Sequence, residues 1–543
     1  MIPQKPHGRR RPFARALTAV LATILFFDWP EAAVAQQSGR VNANISASKG
    51  STAPSAQRRR ATSRRPAPSR GTKTSARPAR PVLPAWTSPR GPDALASDIA
   101  AALTQHTRRG TWGAIVVSLT RRDTLFAQNA DALMQPASTM KMYTAAAALD
   151  HFGADYAFKT PVLRDGQLAA DGTLTGNLYL RGVGDPSLSP RFWHDVQPTD
   201  VLAKQIADAG IKRIRGDIIG DASAFDDQLV PAGWKTTYLG AAYAARVSAL
   251  SLAENLVWVV VKPNGKSASV TLEPATTTLP VESTVRLVGG TGGRISAVRR
   301  SDGSIAVRGT IGARSGPLKY SLVVDNPPLF AAGALRASLQ TAGITVDGST
   351  RLGATPAGAT EVAAVGSPPL GQIIGEMDRE SINMFAELLF KATGHSTTKQ
   401  VGSAASALAN LRDFLSQKVG AQPSTVDASD GSGLSQLDRV TPRSMVQLLG
   451  YAHEADWGPV FHASLPVEGE SGTLRHRARG TPARGNLHAK TGTTNNIAAL
   501  GGYVTARNGE VLAFSLIYNG TDRGNAMAAM DRIGATMAEF VRD

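Results

Sequence analysis

The chain of 543 residues contains no cysteine. That absence excludes disulfide bonds, thiol nucleophiles and thiolate metal sites, and it fits a protein that leaves the cytoplasm without using disulfide chemistry. The nine histidines show neither a His-Glu-x-x-His pattern nor paired-ligand spacing, so no metal site and no cofactor are predicted. Walker loops and Gly-x-Gly-x-x-Gly fingerprints are also missing. The glycine-rich stretch at residues 289–294 lies between β-patterned runs and reads as a hairpin turn.

Acids are nearly absent from the front end. Residues 1–90 hold seventeen Lys or Arg but only Asp28 and Glu31, whereas the whole chain has 59 basic and 42 acidic residues. The rest of the chain is therefore close to neutral, and the net charge of +17 does not imply a nucleic-acid-binding core; no nucleic-acid partner is expected. Basic residues up to Arg15 precede an apolar run at 16–27, too short to span a bilayer, and a small-residue site at Ala33-Val34-Ala35. This layout predicts a signal peptide over 1–35 and a periplasmic or otherwise extracytoplasmic protein. The stretch 9–15 is also similar to a twin-arginine signal, so the export route stays open. Residues 36–92 are rich in Ser, Ala, Thr, Pro and Arg, have no acid before residue 92 and few large apolar residues. They predict a disordered basic tether, either a solvated linker or one held on an anionic envelope surface.

Order is expected from about residue 93. Helical spacing over 92–106 is followed by two strand patterns, 113–119 and 123–130, and by an alanine-rich helix that begins near Ser138 and stops near Gly153. Residues 158–366 have a different texture: short Val, Ile, Leu and Thr runs divided by Gly, Pro and Asp, with helical patches only at 199–210 and 327–343. This predicts a β-rich inserted module of one or two lobes. Helical periodicity returns over 377–394, 406–420 and 441–454, the last with Thr441 as N-cap and Pro442 at the first helical position. The end of the chain reads as three strands and a helix. The expected class is α+β: an antiparallel sheet flanked by helices, built from 93–157 and 367–543.

Ser-x-x-Lys occurs three times, at Ser46–Lys49, Ser138–Lys141 and Ser396–Lys399. Only Ser138 opens a long apolar helix. A hydroxyl and an ammonium at i and i+3 share one helix face, and a lysine drawn into an apolar setting loses proton affinity and can serve as a base. The same spacing also suits a snorkelling lysine beside a first-turn serine. Two further motifs follow in order: Ser381-Ile382-Asn383, the one Ser-x-Asn in the sequence, and Lys490-Thr491-Gly492-Thr493, which holds the one Lys-Thr-Gly.

These three motifs, in this order, resemble the signature set of the serine penicillin-binding proteins of the β-lactamase and D,D-peptidase superfamily. The long gap between the first two is similar to the class C low-molecular-mass group, D-alanyl-D-alanine carboxypeptidases and endopeptidases with extra domains inserted there. Residues 184–189, 247–255, 430–442 and 471–477 also resemble that group, and the likeness spans roughly 93–543. The resemblance implies a β-lactamase/transpeptidase-like domain with Ser138 as the acylated nucleophile and Lys141 as its base. Ser381 would relay the proton, Asn383 would hold Lys141 and the substrate amide, and Lys490 would supply positive charge. Thr491 and Thr493 would bind the terminal carboxylate of the peptide, with Gly492 between them, and the amides of Ser138 and Thr493 would form the oxyanion hole. Peptidoglycan peptides are the implied substrate and β-lactams the implied covalent inhibitors. A β-lactamase or esterase on the same scaffold, and a catalytically idle wall-binding protein, are the alternatives.

Overall fold

The computed structural model describes residues 86–543 except His106 and Lys399. The predicted signal peptide, the tether up to residue 85, the Ser46–Lys49 pair and Lys399 lie outside the described residues. The ordered chain begins before residue 93. Pro89 is buried, Arg90 bridges to Val541, and the Gly91 amide donates to the Val541 carbonyl at 2.8 Å. The last residues of the expected tether are thus packed on the C-terminus, because this stretch finds unpaired backbone there to bond.

Strands β1 (Thr111–Ser118) and β2 (Asp123–Gln128) form a hairpin whose turn is closed by Arg122 at φ 59°. They join three C-terminal strands, β3 (His488–Thr494), β4 (Ile497–Thr505) and β5 (Val511–Asn519). The sheet runs β2-β1-β5-β4-β3, antiparallel throughout. Alternation along β1 explains its two-sided burial. Trp112, Ala114 and Val116 pack with Leu95, Ile99 and Leu103 of helix α1 (Pro92–Gln105) and with Met530 and Ile533 of the C-terminal helix α6 (Arg523–Ala538). Ile115, on the other face, meets Val446. Each large aliphatic side chain so removed from water contributes about 1.5–3 kcal/mol.

The second face carries helices α2 (Met140–Phe152), α3 (Leu370–Glu380), α4 (Asn383–Thr398) and α5 (Pro442–Glu454). Helix α2 is buried all round from Met140 to Leu149, Lys141 and Thr144 included, as a central helix requires. It ends at Gly153, whose φ of 83° is positive as expected of a cap but whose ψ of 156° lies outside the left-handed helical region; its amide donates to the Leu149 carbonyl. Helix α5 starts as predicted: Thr441 Oγ1 accepts from the Ser444 amide and Pro442 occupies the first turn. The continuous helical periodicity of 377–394 is interrupted. Ser381 takes left-handed φ/ψ of 57° and 47°, and the chain restarts as α4 at Asn383.

Residues 159–366 contribute no strand to this sheet. They build a five-stranded sheet, a four-stranded sheet and two three-stranded sheets of their own, with helices Pro198–Asp208 and Pro327–Thr341 and a separate apolar core around Leu202, Ile218, Val259 and Phe330. The stretch at 289–294 is not a hairpin turn. The strands that flank it, Val281–Val288 and Gly293–Arg299, both pair with Ile305–Gly312, which lies between them. The central strand arrives later in the chain, so the glycines carry a crossover.

Candidate active site

Ser138 sits in the 3-10 turn Ala137–Thr139 that leads into α2. Ala137 holds a positive φ of 47°, a conformation that costs a non-glycine residue about 1 kcal/mol or more. Two glycines clamp this turn. A Cβ on Gly433 would lie 1.9 Å from the Ala137 carbonyl oxygen, and one on Gly492 would lie 2.5 Å from the Pro136 oxygen and 3.1 Å from the Ser138 nitrogen. Gly492 therefore lets β3 run directly against the start of the Ser138 turn.

Three of the predicted residues meet at one amine. Lys141 Nζ lies 3.2 Å from Ser138 Oγ, 2.6 Å from Asn383 Oδ1 and 2.9 Å from the Ser432 carbonyl oxygen. Lys141 is fully buried, and burial pushes its pKa down to about 8 against the opposing pull of Asp430, Glu387, Asp378 and Asp438. Ser138 and Asn383 are half-buried, so the hydroxyl borders both a buried amine and the exterior. Asn383 is fixed from its far side, its Nδ2 donating to the Tyr243 carbonyl at 2.8 Å.

The other two meet at a second amine. Lys490 Nζ donates to Ser381 Oγ at 2.9 Å and to the Thr491 carbonyl at 3.1 Å. The left-handed turn at Ser381 aims that hydroxyl at β3, while α4 restarts in time to aim Asn383 at α2. Burial and then the charge of Lys141 hold Lys490 well below the ordinary lysine range. Two ammonium groups this close and this dry do not both keep their protons readily. Asp378, also fully buried, is pushed up by burial while both lysines pull it back.

Thr491 and Thr493 differ in a way their spacing did not reveal. Thr491 is nearly buried and donates its hydroxyl to Thr473 Oγ1 at 2.7 Å, whereas Thr493 and Thr473 are exposed. Thr473 is thus the residue motif reading undervalued; its signal was the Gly472-Thr473 pair, where Gly472 at φ 50° presses on the Arg379 carbonyl. Glu387 and Asp430 were not singled out either. Glu387 is four residues after Asn383 on α4, one turn along the same face.

An antiparallel sheet flanked by helices, with a serine at a helix start, a buried amine in reach and a second Ser–Lys pair beside it, defines a serine acyl-transfer site. Residues 95–539 match the D-Ala-D-Ala carboxypeptidase 3 (S13) family, and the chain belongs to that family of serine peptidases. It is 35% identical over 448 residues to a D-alanyl-D-alanine carboxypeptidase of Actinomadura sp., covering 79% of this chain and 81% of that protein. It is 26% identical over 439 residues to a D-alanyl-D-alanine carboxypeptidase of Haemophilus influenzae, covering 79% and 89%. Among solved structures, penicillin binding protein 4 from Haemophilus influenzae superposes with a TM-score of 0.67 at 25% identity, over 80% of this chain and 97% of that one. No helix among the described residues is long and apolar enough to cross a membrane.

Proposed function

We propose that this chain is a penicillin-binding serine D,D-peptidase that cleaves D-Ala-D-Ala ends or cross-link peptide bonds of peptidoglycan outside the cytoplasm. Residues 93–157 and 367–543 form its catalytic domain, 158–366 the inserted module, 1–35 the export signal and 36–92 the tether. The observation that carries the reading is the Lys141 amine, fully buried and 3.2 Å from Ser138 Oγ.

Ser138 Oγ attacks the carbonyl of the penultimate D-Ala as Lys141 takes the hydroxyl proton. The amides of Ser138 and Thr493 receive the developing oxyanion. Collapse breaks the C–N bond, leaves an ester on Ser138, and returns the proton through Ser381 to the departing amine. Water then attacks the ester by the reverse proton path. The substrate carboxylate settles by Lys490 and the exposed hydroxyls of Thr493 and Thr473, with Thr491 as their support. An anion there favours the charged form of Lys490, so that of two competing amines Lys141 becomes the free base. A β-lactam presents a carboxylate and a strained amide in the same arrangement and acylates the same serine.

Labelling with a fluorescent penicillin tests the assignment. The parent and Ser396→Ala proteins take one persistent label, and Ser138→Ala takes none. Equal labelling of Ser138→Ala removes the nucleophile, and rapid loss of label from the parent by hydrolysis points to a β-lactamase instead.

A further inference from the structure

The third partner of the Lys141 amine is a backbone carbonyl, that of Ser432, and a carbonyl orients a base only as well as its own loop is held. This loop is closed on a single side chain. Asp430 Oδ1 accepts from the amides of Ser432 at 3.0 Å and Gly433 at 2.6 Å. Its Oδ2 accepts from the Ser435 amide and from Trp234 Nε1, each at 2.7 Å. Four N–H donors converge on a group that is completely buried. Glu387 on α4 reinforces them by accepting from Gly431 and Ser432, and Thr144, three residues after Lys141, donates to the Gly431 carbonyl at 2.7 Å. The same loop presses Gly433 onto the Ala137 carbonyl, one residue before Ser138.

We propose that Asp430 is a positioning residue for acyl transfer: its carboxylate folds residues 431–435 into a bracket that holds both the Lys141 amine and the Ser138 turn, and Trp234 of the inserted module locks it. The proposal rests on Ser138 being the nucleophile. Asp430 is buried away from any substrate and acts through Ser432 and Gly433. It also acts as a charge. Lys141 faces Asp378 of α3, Glu387 of α4, Asp430 and Asp438 of the loop, and Lys490 of β3. Burial followed by the proximity of Asp430 pushes the Glu387 and Asp438 carboxyls upward, favouring their neutral forms. Asp430 is the first-ranked of the charges that oppose the loss of the Lys141 proton.

The two effects separate in the pH dependence of penicillin acylation, measured on the full chain from pH 6 to 10 beside a thermal melt. Asp430→Asn replaces an acceptor oxygen by a donor that faces other donors. It lowers the plateau acylation rate by about tenfold to a hundredfold, and it moves the acid limb to lower pH because the anion that favoured the Lys141 ammonium is gone. Trp234→Phe removes one N–H and no charge; it lowers the plateau by about threefold and leaves the limb in place. A folded Asp430→Asn protein with the parent's plateau and limb overturns the proposal. So does a lowered plateau with an unmoved limb, which is all that a merely structural role yields. Should Asp430→Asn fail to fold, Trp234→Phe tests the bracket by itself, and a parent-like plateau there overturns the proposal. A parent protein that takes no label at Ser138 fails the functional reading first and this inference with it.

Discussion

At the scale of single residues, the site is a problem of two lysines in one dry space. Lys141 and Lys490 are both fully buried, and each has a hydroxyl partner within 3.2 Å. A buried ammonium is disfavoured unless anions surround it, and here the anions are themselves buried carboxyls competing for protons. The outcome for Lys141 is a pKa near 8, which leaves a useful fraction of free amine at neutral pH where an ordinary lysine has almost none. The sign for catalysis follows from the proposed role: as the base, Lys141 works as the neutral amine, so acylation is expected to rise with pH through about 8 and to fall away on the acid side. Lys141→Ala is expected to slow acylation by about a hundredfold to ten-thousandfold, the range a positioned general base supplies, and to abolish the limb near 8. A stopped-flow series with a chromogenic β-lactam measures both. A Lys141→Ala protein that keeps the limb assigns the base to another group and leaves the nucleophile untouched.

At the scale of elements, the arrangement depends on where helices stop and how closely a strand approaches. Sequence patterning made the Ser138 helix legible because an all-apolar run admitting one lysine is unusual, and it made the α5 start legible because Thr441 and Pro442 have fixed geometric roles. It did not reveal the break between α3 and α4. Ile373, Ile374 and Met377 on one side and Phe385, Leu388 and Leu389 on the other keep helical spacing, and a single left-handed residue leaves little compositional trace. Nor was the bracket at 430–435 legible, since its donors converge on a carboxylate whose remaining partner, Trp234, is 196 residues away. The misread crossover at 289–294 has the same origin: glycines announce a turn, but strand pairing is chosen by partners elsewhere. The Lys-Thr-Gly glycine shows the reverse case, a motif residue whose reason is purely steric. Gly492→Ala places a methyl 2.5 Å from the Pro136 oxygen, so β3 must retreat from the Ser138 turn. The neighbours there are the Pro136 oxygen, the Ser138 nitrogen and the Ala499 Cβ, none of them the end of a flexible side chain that could yield. The expected result is a folded protein whose acylation rate drops by about a hundredfold through misplacement of the Thr493 amide, read by penicillin labelling alongside a melt. A parent-like rate shows that the strand has slack and that its amide is not part of the oxyanion site.

At the scale of the whole molecule, two charge regimes share one chain. Among the described residues many charges are paired internally, as in Lys391 with Asp226 at 2.6 Å, which ties α4 to the β-rich stretch 159–366, and Arg542 with Asp123 at 2.7 Å, which ties the C-terminus to β2. The excess is concentrated in the sequence before residue 91, where seventeen basic residues face two acids. Attraction between such a segment and an anionic wall polymer acts through solvent and is screened over about 10 Å at 0.1 M salt, whereas the charges at Lys141 and Lys490 are buried and far less exposed to ions. Salt should therefore separate attachment from chemistry. Co-sedimentation of the full chain with isolated peptidoglycan is expected to fall steeply between about 0.05 and 0.5 M NaCl, over which the screening length shrinks several-fold, while the penicillin acylation rate changes by less than about twofold across the same range. If binding persists unchanged at high salt, the attachment is made by the folded body through specific contacts and the basic segment is a solvated linker; if acylation falls in step with binding, the surface charge is steering the ligand into the cleft as well.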